Sequence, residues 1–149
     1  MIQLEIRDPL CEADRAYVVD AWGQISEQLA DMDLNARVRP SEELAANLAK
    51  MHIVRVALRG GAYVGAIWGT IEAAGYRKTP FAYVWYLFVQ EDQREMGVGR
   101  QLVIRFEDSA KMQDVQRVEL STHVLNTKAQ KFWEALGYPV FREVRAKQL

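Results

Sequence analysis

The sequence QREMGVGR, residues 93–100, separates an almost continuously apolar stretch at 81–90 from a stretch with helical spacing at about 98–112. The apolar stretch is typical of a central strand that is covered on both faces. The glycines of the loop permit positive φ angles and the close approach of a ligand. The first turn of the following helix presents N–H groups without partners and a partial positive charge. The loop is therefore predicted to bind a diphosphate.

Two common phosphate-binding motifs do not match this loop. A Walker loop requires Gly-Lys-Ser/Thr, but Gly97 is followed by Val98-Gly99-Arg100. A dinucleotide fingerprint requires a third glycine where this sequence has Leu102. Arg94 and Arg100, which flank the glycines, are predicted to add charge-assisted contacts to phosphate oxygens. A glycine-containing turn from strand to helix, without any ligand, is the alternative at this point.

Outward from the loop, the pattern predicts one α/β domain over residues 1–149. Alternation and helical spacing predict strands at 2–7, 53–58, 63–71, 81–90, 117–124 and from Val140, and helices at about 12–31, Ser41 to Met51, about 98–112 and about 127–136. Gly60-Gly61 is typical of a hairpin turn. The second half reads strand, helix, strand, so its strands are expected to be parallel. The result is a mixed sheet with helices on its faces.

Composition excludes several classes of protein. The 149 residues carry 19 basic and 20 acidic side chains, so there is no electrostatic signature of nucleic-acid or anionic membrane binding. Cys11 is the single cysteine, which excludes an intramolecular disulfide and leaves a cysteine-based zinc cluster unsupported. The start lacks the basic and apolar segments of a signal peptide, and no apolar stretch approaches the roughly 20 residues that span a bilayer. A cytoplasmic protein without membrane or nucleic-acid partners is expected.

Two motifs carry a resemblance to a known family. Leu87-Phe88-Val89 followed by Arg94-x-x-Gly97-x-Gly99 resembles the coenzyme A-binding signature of the GNAT superfamily of N-acetyltransferases. The segment Val118-Glu119-Leu120-Ser121 and then NTKAQKFWEALGY, residues 126–138, resemble the second signature of that superfamily, in which an Asn, an Ala, a Phe-Tyr pair and a Gly-Phe recur at this spacing. The resemblance covers residues 81–138. It implies the GNAT fold: a central mixed, mostly antiparallel sheet with helices on both faces and a parallel strand pair that splays apart.

The resemblance implies that acetyl-CoA binds as a cosubstrate between the strands at 81–90 and 117–124. Main-chain groups of Leu87 and Val89 would pair with the pantetheine arm like a neighbouring strand, and the amides from Arg94 to Arg100 would hold the pyrophosphate. The implied cofactor-binding residues are Leu87, Phe88, Val89, Arg94, Glu95, Met96, Gly97, Val98, Gly99, Arg100, Asn126, Lys128, Phe132 and Trp133. Leu87, Val89 and Phe132 are expected to pack in the core in any case.

The reaction that the resemblance implies is direct attack of a primary amine on the thioester in a ternary complex. Positioning of the amine and the thioester would contribute most of the rate acceleration, since effective molarities of well-oriented groups reach about 10⁵–10⁸ M. A main-chain N–H near Val89 would stabilise the oxyanion. The superfamily's general acid is the tyrosine of the Phe-Tyr pair, where this chain has Trp133, whose indole cannot release its proton at neutral pH. The acid is then Tyr138, Tyr86 or water, or the role is unfilled.

The general base is also missing from its usual place. Tyr83 stands at the strand position where some members of the superfamily carry a catalytic glutamate. Glu72, near the end of the preceding strand, is the carboxylate predicted to act as the base, with a solvated strand-end glutamate as the alternative. His123 is a candidate proton relay or an ordinary polar strand residue. The predicted catalytic residues are Glu72, Tyr83 and Tyr86.

The acceptor site is expected between the loops at 31–40 and 74–80. Its aromatic walls are predicted among Trp22, Trp68, Tyr83, Trp85 and Tyr86, and Asp31 or Asp33 would meet a cationic amine. The aromatic residues allow a small molecule such as a polyamine or an aminoglycoside, an amino acid or a peptide end as the acceptor, and the sequence pattern does not choose among them. A homodimer is predicted as well, because the last strand would leave an exposed edge.

Two alternatives to an acetyltransferase remain at this stage. Trp133 and the missing carboxylate favour a GNAT-fold sensor that holds acyl-CoA without transferring the acyl group. A nucleotide-binding α/β domain would instead bind ATP or NAD, and coenzyme A would not compete with it.

Overall fold

The computed structural model describes residues 2–29, 52–72 and 78–149. In chain order its elements are β1 (Leu4–Arg7), α1 (Glu12–Leu29), β2 (His52–Arg59), β3 (Ala62–Glu72), β4 (Phe81–Val89), a 3-10 turn (Glu91–Gln93), α2 (Val98–Met112), β5 (Val118–Leu120) and α3 (Thr127–Ala135). The helix predicted from Ser41 to Met51 lies outside the described residues, as do the loop at 31–40 with Asp31 and Asp33 and most of the loop at 74–80. Among the described helices, none combines the length and the apolar character needed to cross a bilayer.

The strands form one mixed, mostly antiparallel sheet, as predicted. Its order is β1-β2-β3-β4-β5, with antiparallel pairs throughout except for the parallel pair of β4 and β5. Gly60 and Gly61 join β2 to β3 with φ angles of 59° and 78°, which is the double positive φ of a two-residue hairpin. The predicted hairpin turn is confirmed.

Helix α2 packs on one face of this sheet. Its apolar stripe contributes Leu102, Val103 and Phe106, which lie against Ile67 and Val84 of the central strands. Gly69 makes this contact possible, because a Cβ atom there would lie 2.5 Å from the ring of Phe106. A glycine on the central strand therefore sets how closely the helix approaches the sheet.

Helix α1 covers the opposite face, where a second core forms. Val18 and Ala21 of α1 are fully buried and pack with Trp68, Tyr86 and Phe88 of the sheet. The sheet therefore lies between two separate apolar clusters, one under each helix, which agrees with the predicted helices on both faces.

A buried carboxylate fastens the start of α1 to the sheet. Asp14 accepts hydrogen bonds from Arg7 Nη2 at 3.0 Å, from Tyr63 Oη at 2.5 Å and from the main-chain N–H of Leu10 at 2.9 Å. Burial alone raises the pKa of Asp14, but the hydrogen bonds from Arg7, Tyr63 and the main chain outweigh it and hold the pKa well below its usual range. The charged form is therefore part of the native structure.

Strand β4 carries a bulge at Trp85. Trp68 of β3 pairs with Tyr86 and Gly69 pairs with Val84, so Trp85 has no partner residue in β3. An extra residue on one strand re-aims the side chains on either side of it. As a result, Trp85 is exposed while the adjacent Tyr86 is buried.

Two strand predictions are wrong. The strand predicted at 117–124 is limited to Val118–Leu120, because only these residues pair with β4. The strand predicted from Val140 does not form: residues 138–149 have no regular secondary structure, and Val140 and Val144 are exposed. Alternating apolar residues favour a strand only where a neighbouring strand supplies a partner, and the short β5 does not extend far enough to supply one.

Candidate functional site

Strands β4 and β5 pair over three positions and then separate. Ala82 pairs with Val118 and Val84 pairs with Leu120, after which no described residue pairs with the β5-side edge of β4. Trp85 is thus the first residue beyond the paired stretch. The predicted splay of these two strands is confirmed.

The main-chain groups of Leu87 and Val89 point toward this open edge. Gln90 donates its N–H to Val64 O at 2.8 Å, so Gln90 and Phe88 face β3. Because hydrogen-bonding direction alternates along an antiparallel strand, Leu87 and Val89 direct their N–H and C=O groups the other way. An unpaired strand edge is a template for an extended ligand.

The loop after β4 has the backbone of an anion-binding turn. Glu95 and Gly97 have φ angles of 64° and 81°, and Gly97 is the N-cap residue of α2. Because the N-cap residue is a glycine, it has no side chain that could accept a hydrogen bond from the N–H groups that open this helix. Those N–H groups, together with the helix dipole, provide an attractive site for a phosphate group.

The two arginines of the loop lie on its exposed surface. Arg94 donates from Nε to Val89 O at 3.0 Å, which holds its guanidinium beside the end of β4. Arg100 is exposed on the first turn of α2, and Met96 is exposed as well. Both arginines are therefore placed where they can approach a phosphate bound at the helix N-terminus.

The two signature segments meet at Gly99. A Cβ atom at this position would lie 3.2 Å from Cζ of Phe132 and 3.5 Å from Cγ2 of Val89. The end of β4, the start of α2 and helix α3 thus converge on one glycine. Phe132 is only partly buried, so its ring borders the opening beside the helix N-terminus.

Other residues of the second signature have visible structural roles. Asn126 caps α3, its Oδ1 accepting from Ala129 N at 3.2 Å, and Lys128 is exposed. Trp133 is 7% exposed, and its ring lies edge-on to Phe132 and Tyr138 at 5.2 and 5.1 Å. The geometry gives Trp133 a packing role, and its contact with a cofactor, like those of Asn126 and Lys128, stays a prediction.

Two of the candidate proton donors are bound elsewhere in the core. Tyr86 is 6% exposed and donates its hydroxyl to Val18 O at 2.6 Å, and burial raises its pKa well above the usual value. Tyr138 donates to Glu107 Oε2 at 2.9 Å, and burial together with this carboxylate raises the pKa of Tyr138. These environments argue against the catalytic role predicted for Tyr86 and against Tyr138 as the acid.

Tyr83, by contrast, lies where the strands separate. Its hydroxyl is hydrogen-bonded to Ser121 Oγ over 2.8 Å, and Ser121 directly follows the last paired residue of β5. Ser121 was not among the predicted site residues. The sequence signal for it is its position just after a strand that runs parallel to β4, since parallel strands end at the same edge.

Glu119 is a second polar residue near this point that was not among the predicted site residues. It is 4% exposed, pairs across the sheet with Tyr83 and accepts from Arg117 Nε at 2.9 Å. A charged residue between the apolar Val118 and Leu120 is the signal that marks it.

The aromatic residues predicted for the acceptor site divide into two groups. Trp68 and Tyr86 are buried in the core under α1, which corrects their prediction as acceptor walls. Trp22 and Tyr83 are partly exposed and Trp85 is 49% exposed. The surface aromatic group is therefore Trp22, Tyr83 and Trp85.

Two histidines accept hydrogen bonds at Nδ1. His52 accepts from Trp68 Nε1 at 2.9 Å, and burial lowers its pKa while Glu72 acts in the opposite direction. His52 is therefore neutral at pH 7 and carries its proton on Nε2. His123 accepts from the N–H of Leu125 at 3.1 Å, within the turn before α3. Its proposed relay function stays a prediction.

Comparison with known proteins agrees with this geometry. Residues 16–138 match the family model described as the acetyltransferase (GNAT) family. No curated protein matches the sequence.

Solved structures show the same fold. An aminoglycoside acetyltransferase, meta-AAC0020, from an uncultured soil metagenomic sample, in complex with trehalose, is 21% identical with a TM-score of 0.74 over 98% of this chain and 95% of that one. AAC(6')-Iy with the bisubstrate analogue CoA-S-monomethyl-acetylneamine is 19% identical, with a TM-score of 0.73 over 99% of this chain and 98% of that one. A single mutant of the BH1408 protein from Bacillus halodurans is 16% identical, with a TM-score of 0.81 over 99% of both chains. At these identities the likenesses show the fold alone.

Proposed function

The chain belongs to the acetyltransferase (GNAT) family, and from this premise we propose that it transfers an acetyl group from acetyl-CoA to a primary amine. The observation that carries the proposal is the open edge of β4 leading directly into the uncapped start of α2. A thioester cofactor with a long amide-containing arm and a pyrophosphate requires both features in this order.

The cofactor site follows from these two features. The outward N–H and C=O groups of Leu87 and the outward N–H of Val89 bind the amides of the arm, as a strand would; the C=O of Val89 already accepts from Arg94 Nε. The N–H groups from Gly97 to Arg100 hold the pyrophosphate, with Arg94 and Arg100 adding charge-assisted contacts. The side of the arm that faces away from β4 is bounded by Phe132, Asn126 and Lys128.

The chemistry asks little of the protein beyond positioning. The bound thioester supplies the acetyl group; the amine forms the new C–N bond as the C–S bond breaks. A main-chain N–H on the open edge, at Leu87 or Val89, stabilises the charge on the carbonyl oxygen. Holding the amine at this edge contributes the largest part of the rate.

The hydroxyl pair of Tyr83 and Ser121 supplies the proton that the departing thiolate takes up. It lies at the point where β4 leaves β5, whereas Tyr86 and Tyr138 are bound to Val18 and Glu107. Glu72, predicted as the base, accepts a hydrogen bond from Thr70, whose hydroxyl also accepts from the indole N–H of Trp85. Its carboxylate therefore lies near the side chain of Trp85, and the proton of the amine leaves to Glu72 or to water.

The test uses the purified protein with acetyl-CoA and a panel of amines, and free coenzyme A is measured with a thiol reagent. We expect coenzyme A release that depends on the amine. Tight binding of coenzyme A with no release for any amine would instead support the alternative, an acyl-CoA sensor, which the buried Trp133 at the usual tyrosine position favours.

A pair of glycine variants tests the cofactor site itself. Gly97 and Gly61 have φ angles of 81° and 78°, and neither would bring a new Cβ atom within 4 Å of another group. Gly97→Ala and Gly61→Ala therefore introduce a similar backbone strain. We expect only Gly97→Ala to weaken coenzyme A binding, by about tenfold or more; equal effects of the two would remove the loop from the site.

A further inference from the structure

Gln90, the residue that follows β4, is held by three hydrogen bonds. Its main-chain N–H donates to Val64 O at 2.8 Å, and its C=O accepts from the N–H of Gln93 at 2.9 Å. Its side-chain amide donates from Nε2 to the hydroxyl of Tyr17 at 3.1 Å. These partners belong to β3, to the 3-10 turn and to α1. Gln90 is therefore the residue at which the sheet, the turn and helix α1 are joined.

The ring of Tyr17 is itself fixed in place. It stacks on the ring of Tyr63, with 4.6 Å between centroids and 13° between planes. Tyr63 donates its hydroxyl to the buried carboxylate of Asp14, which Arg7 of β1 also binds. Because each group behind the Tyr17 ring has a partner, the Tyr17 hydroxyl is a well-placed acceptor for the Gln90 amide.

The loop that follows Gln90 has little packing of its own. Residues 91–97 are exposed except for Gln93, which is partly buried. The loop is therefore positioned mainly by its two ends, which are the packing of α2 on the sheet and the bonds of Gln90. Arg94 donates from Nε to Val89 O, so the place of its guanidinium also depends on where β4 ends.

We propose that Gln90 and Tyr17 are positioning residues for the coenzyme A site. Their hydrogen bond fixes the direction in which the chain leaves β4, and with it the places of Arg94 and of the main-chain N–H groups that lead into α2. Groups that are already in place when a ligand arrives bind it at a lower cost in conformational entropy. Neither residue needs to contact the cofactor. This inference rests on the proposed acetyl-CoA site.

Calorimetry with coenzyme A tests the inference on the full chain. Tyr17→Phe removes the hydroxyl and keeps the ring that stacks on Tyr63, and Gln90→Ala removes the amide. We expect each variant to bind coenzyme A about three- to tenfold more weakly than the native protein, which is the contribution of one ordinary hydrogen bond. The double variant should bind no more weakly than the more affected single variant, because both changes remove the same bond.

Gln24→Ala is the matched control. Gln24 lies about two turns further along α1, and its side-chain amide donates to Asp20 of the same helix at 3.0 Å. Its affinity for coenzyme A should stay within about twofold of the native value. Native affinity in Tyr17→Phe, or effects of Tyr17→Phe and Gln90→Ala that simply add, would overturn the inference and leave the cofactor site in place. A native protein that binds no coenzyme A would remove the proposed site and this inference with it.

Steady-state kinetics separates positioning from a general loss of stability. We expect Tyr17→Phe to raise the KM for acetyl-CoA about three- to tenfold and to leave kcat and the KM for the amine within about twofold. A change that only destabilised the protein would reduce the amount of active enzyme, so the apparent kcat would fall while both KM values stayed the same. That result would contradict the positioning role of Tyr17.

Discussion

In the described part of the chain, four tyrosine hydroxyls donate a hydrogen bond, and the acceptor decides what each of them can do. Tyr63 and Tyr86 bind a buried carboxylate and a main-chain carbonyl, and Tyr138 binds Glu107. Tyr83 has a hydroxyl partner, Ser121, at the separating strands. A hydroxyl chain that ends in an exposed serine can be re-protonated from solvent, whereas a buried donor cannot.

Removal of one hydroxyl tests this assignment. Tyr83→Phe should lower kcat about tenfold to a hundredfold with little change in KM, because a positioned proton donor acts only in the transition state. Ser121→Ala should have a smaller effect in the same direction. Tyr138→Phe is the control, since it removes a hydroxyl bound to Glu107. An unchanged kcat in Tyr83→Phe would mean that water, and not Tyr83, protonates the departing thiolate.

Asp14 makes the stability of the fold depend on pH. Its pKa is lowered in the native state from an unfolded value near 3.8, so its contribution is complete above that pH and is lost as the pH falls below it. We expect Asp14→Asn to destabilise the protein by about 3 kcal/mol at pH 7, since Arg7 loses a buried partner. Urea unfolding from pH 7 to about pH 2 measures this: the difference between the two proteins should stay nearly constant down to about pH 4 and shrink below it. A constant difference at every pH would contradict the linkage.

At the scale of elements, the packing of α2 on β3 depends on a side chain that is missing. Gly69→Ala should destabilise the fold by about 1–3 kcal/mol, because the new methyl group overlaps the main-chain oxygen of Tyr83 and the Phe106 ring. Adding Phe106→Leu should recover part of that loss, which thermal unfolding of the single and double variants can show. Strict additivity of the two changes would mean that the groups do not meet.

The elements also show where sequence reasoning succeeds. Helix α2 was predicted at about 98–112 and spans Val98–Met112, because a glycine N-cap and a regular apolar stripe specify both of its ends locally. The bulge at Trp85 was not predicted, since pairing register depends on β3, and so the burial of Tyr86 was missed. Ser121 and Glu119 acquire their meaning only from the parallel pairing with β4.

The same dependence of strands on a pairing partner explains why the strand predicted from Val140 is wrong. The strand predicted from Val140 has the right alternation, but a strand needs a partner, and β5 pairs over only three positions. Arg117 instead lies over the ring of Phe141, 4.7 Å from its centroid. Local pattern therefore predicted the helices well and the last strand poorly.

For the whole molecule, the exposed end of the chain bears on assembly. β5 is the last strand of the sheet, and Val140, Phe141 and Val144 are exposed in the segment that follows α3, so an unpaired strand edge and apolar side chains are both open to a second copy. We propose a homodimer and expect light scattering at micromolar concentration to give twice the monomer mass of 17.1 kDa. Val144→Asp should shift the population toward monomer. A monomeric mass for the native protein would remove the proposal.

The sheet that separates the two apolar clusters has a consequence for how this protein can change over generations. The residues proposed to bind acetyl-CoA lie beside α2, whereas Trp22, Trp68 and Trp85 lie on the α1 side of the sheet. Substitutions on the α1 side should therefore alter the proposed acceptor site without disturbing the loop that we propose binds the pyrophosphate. Selection for a different amine can therefore act on the α1 side of the sheet, while the proposed acetyl-CoA site beside α2 stays unchanged.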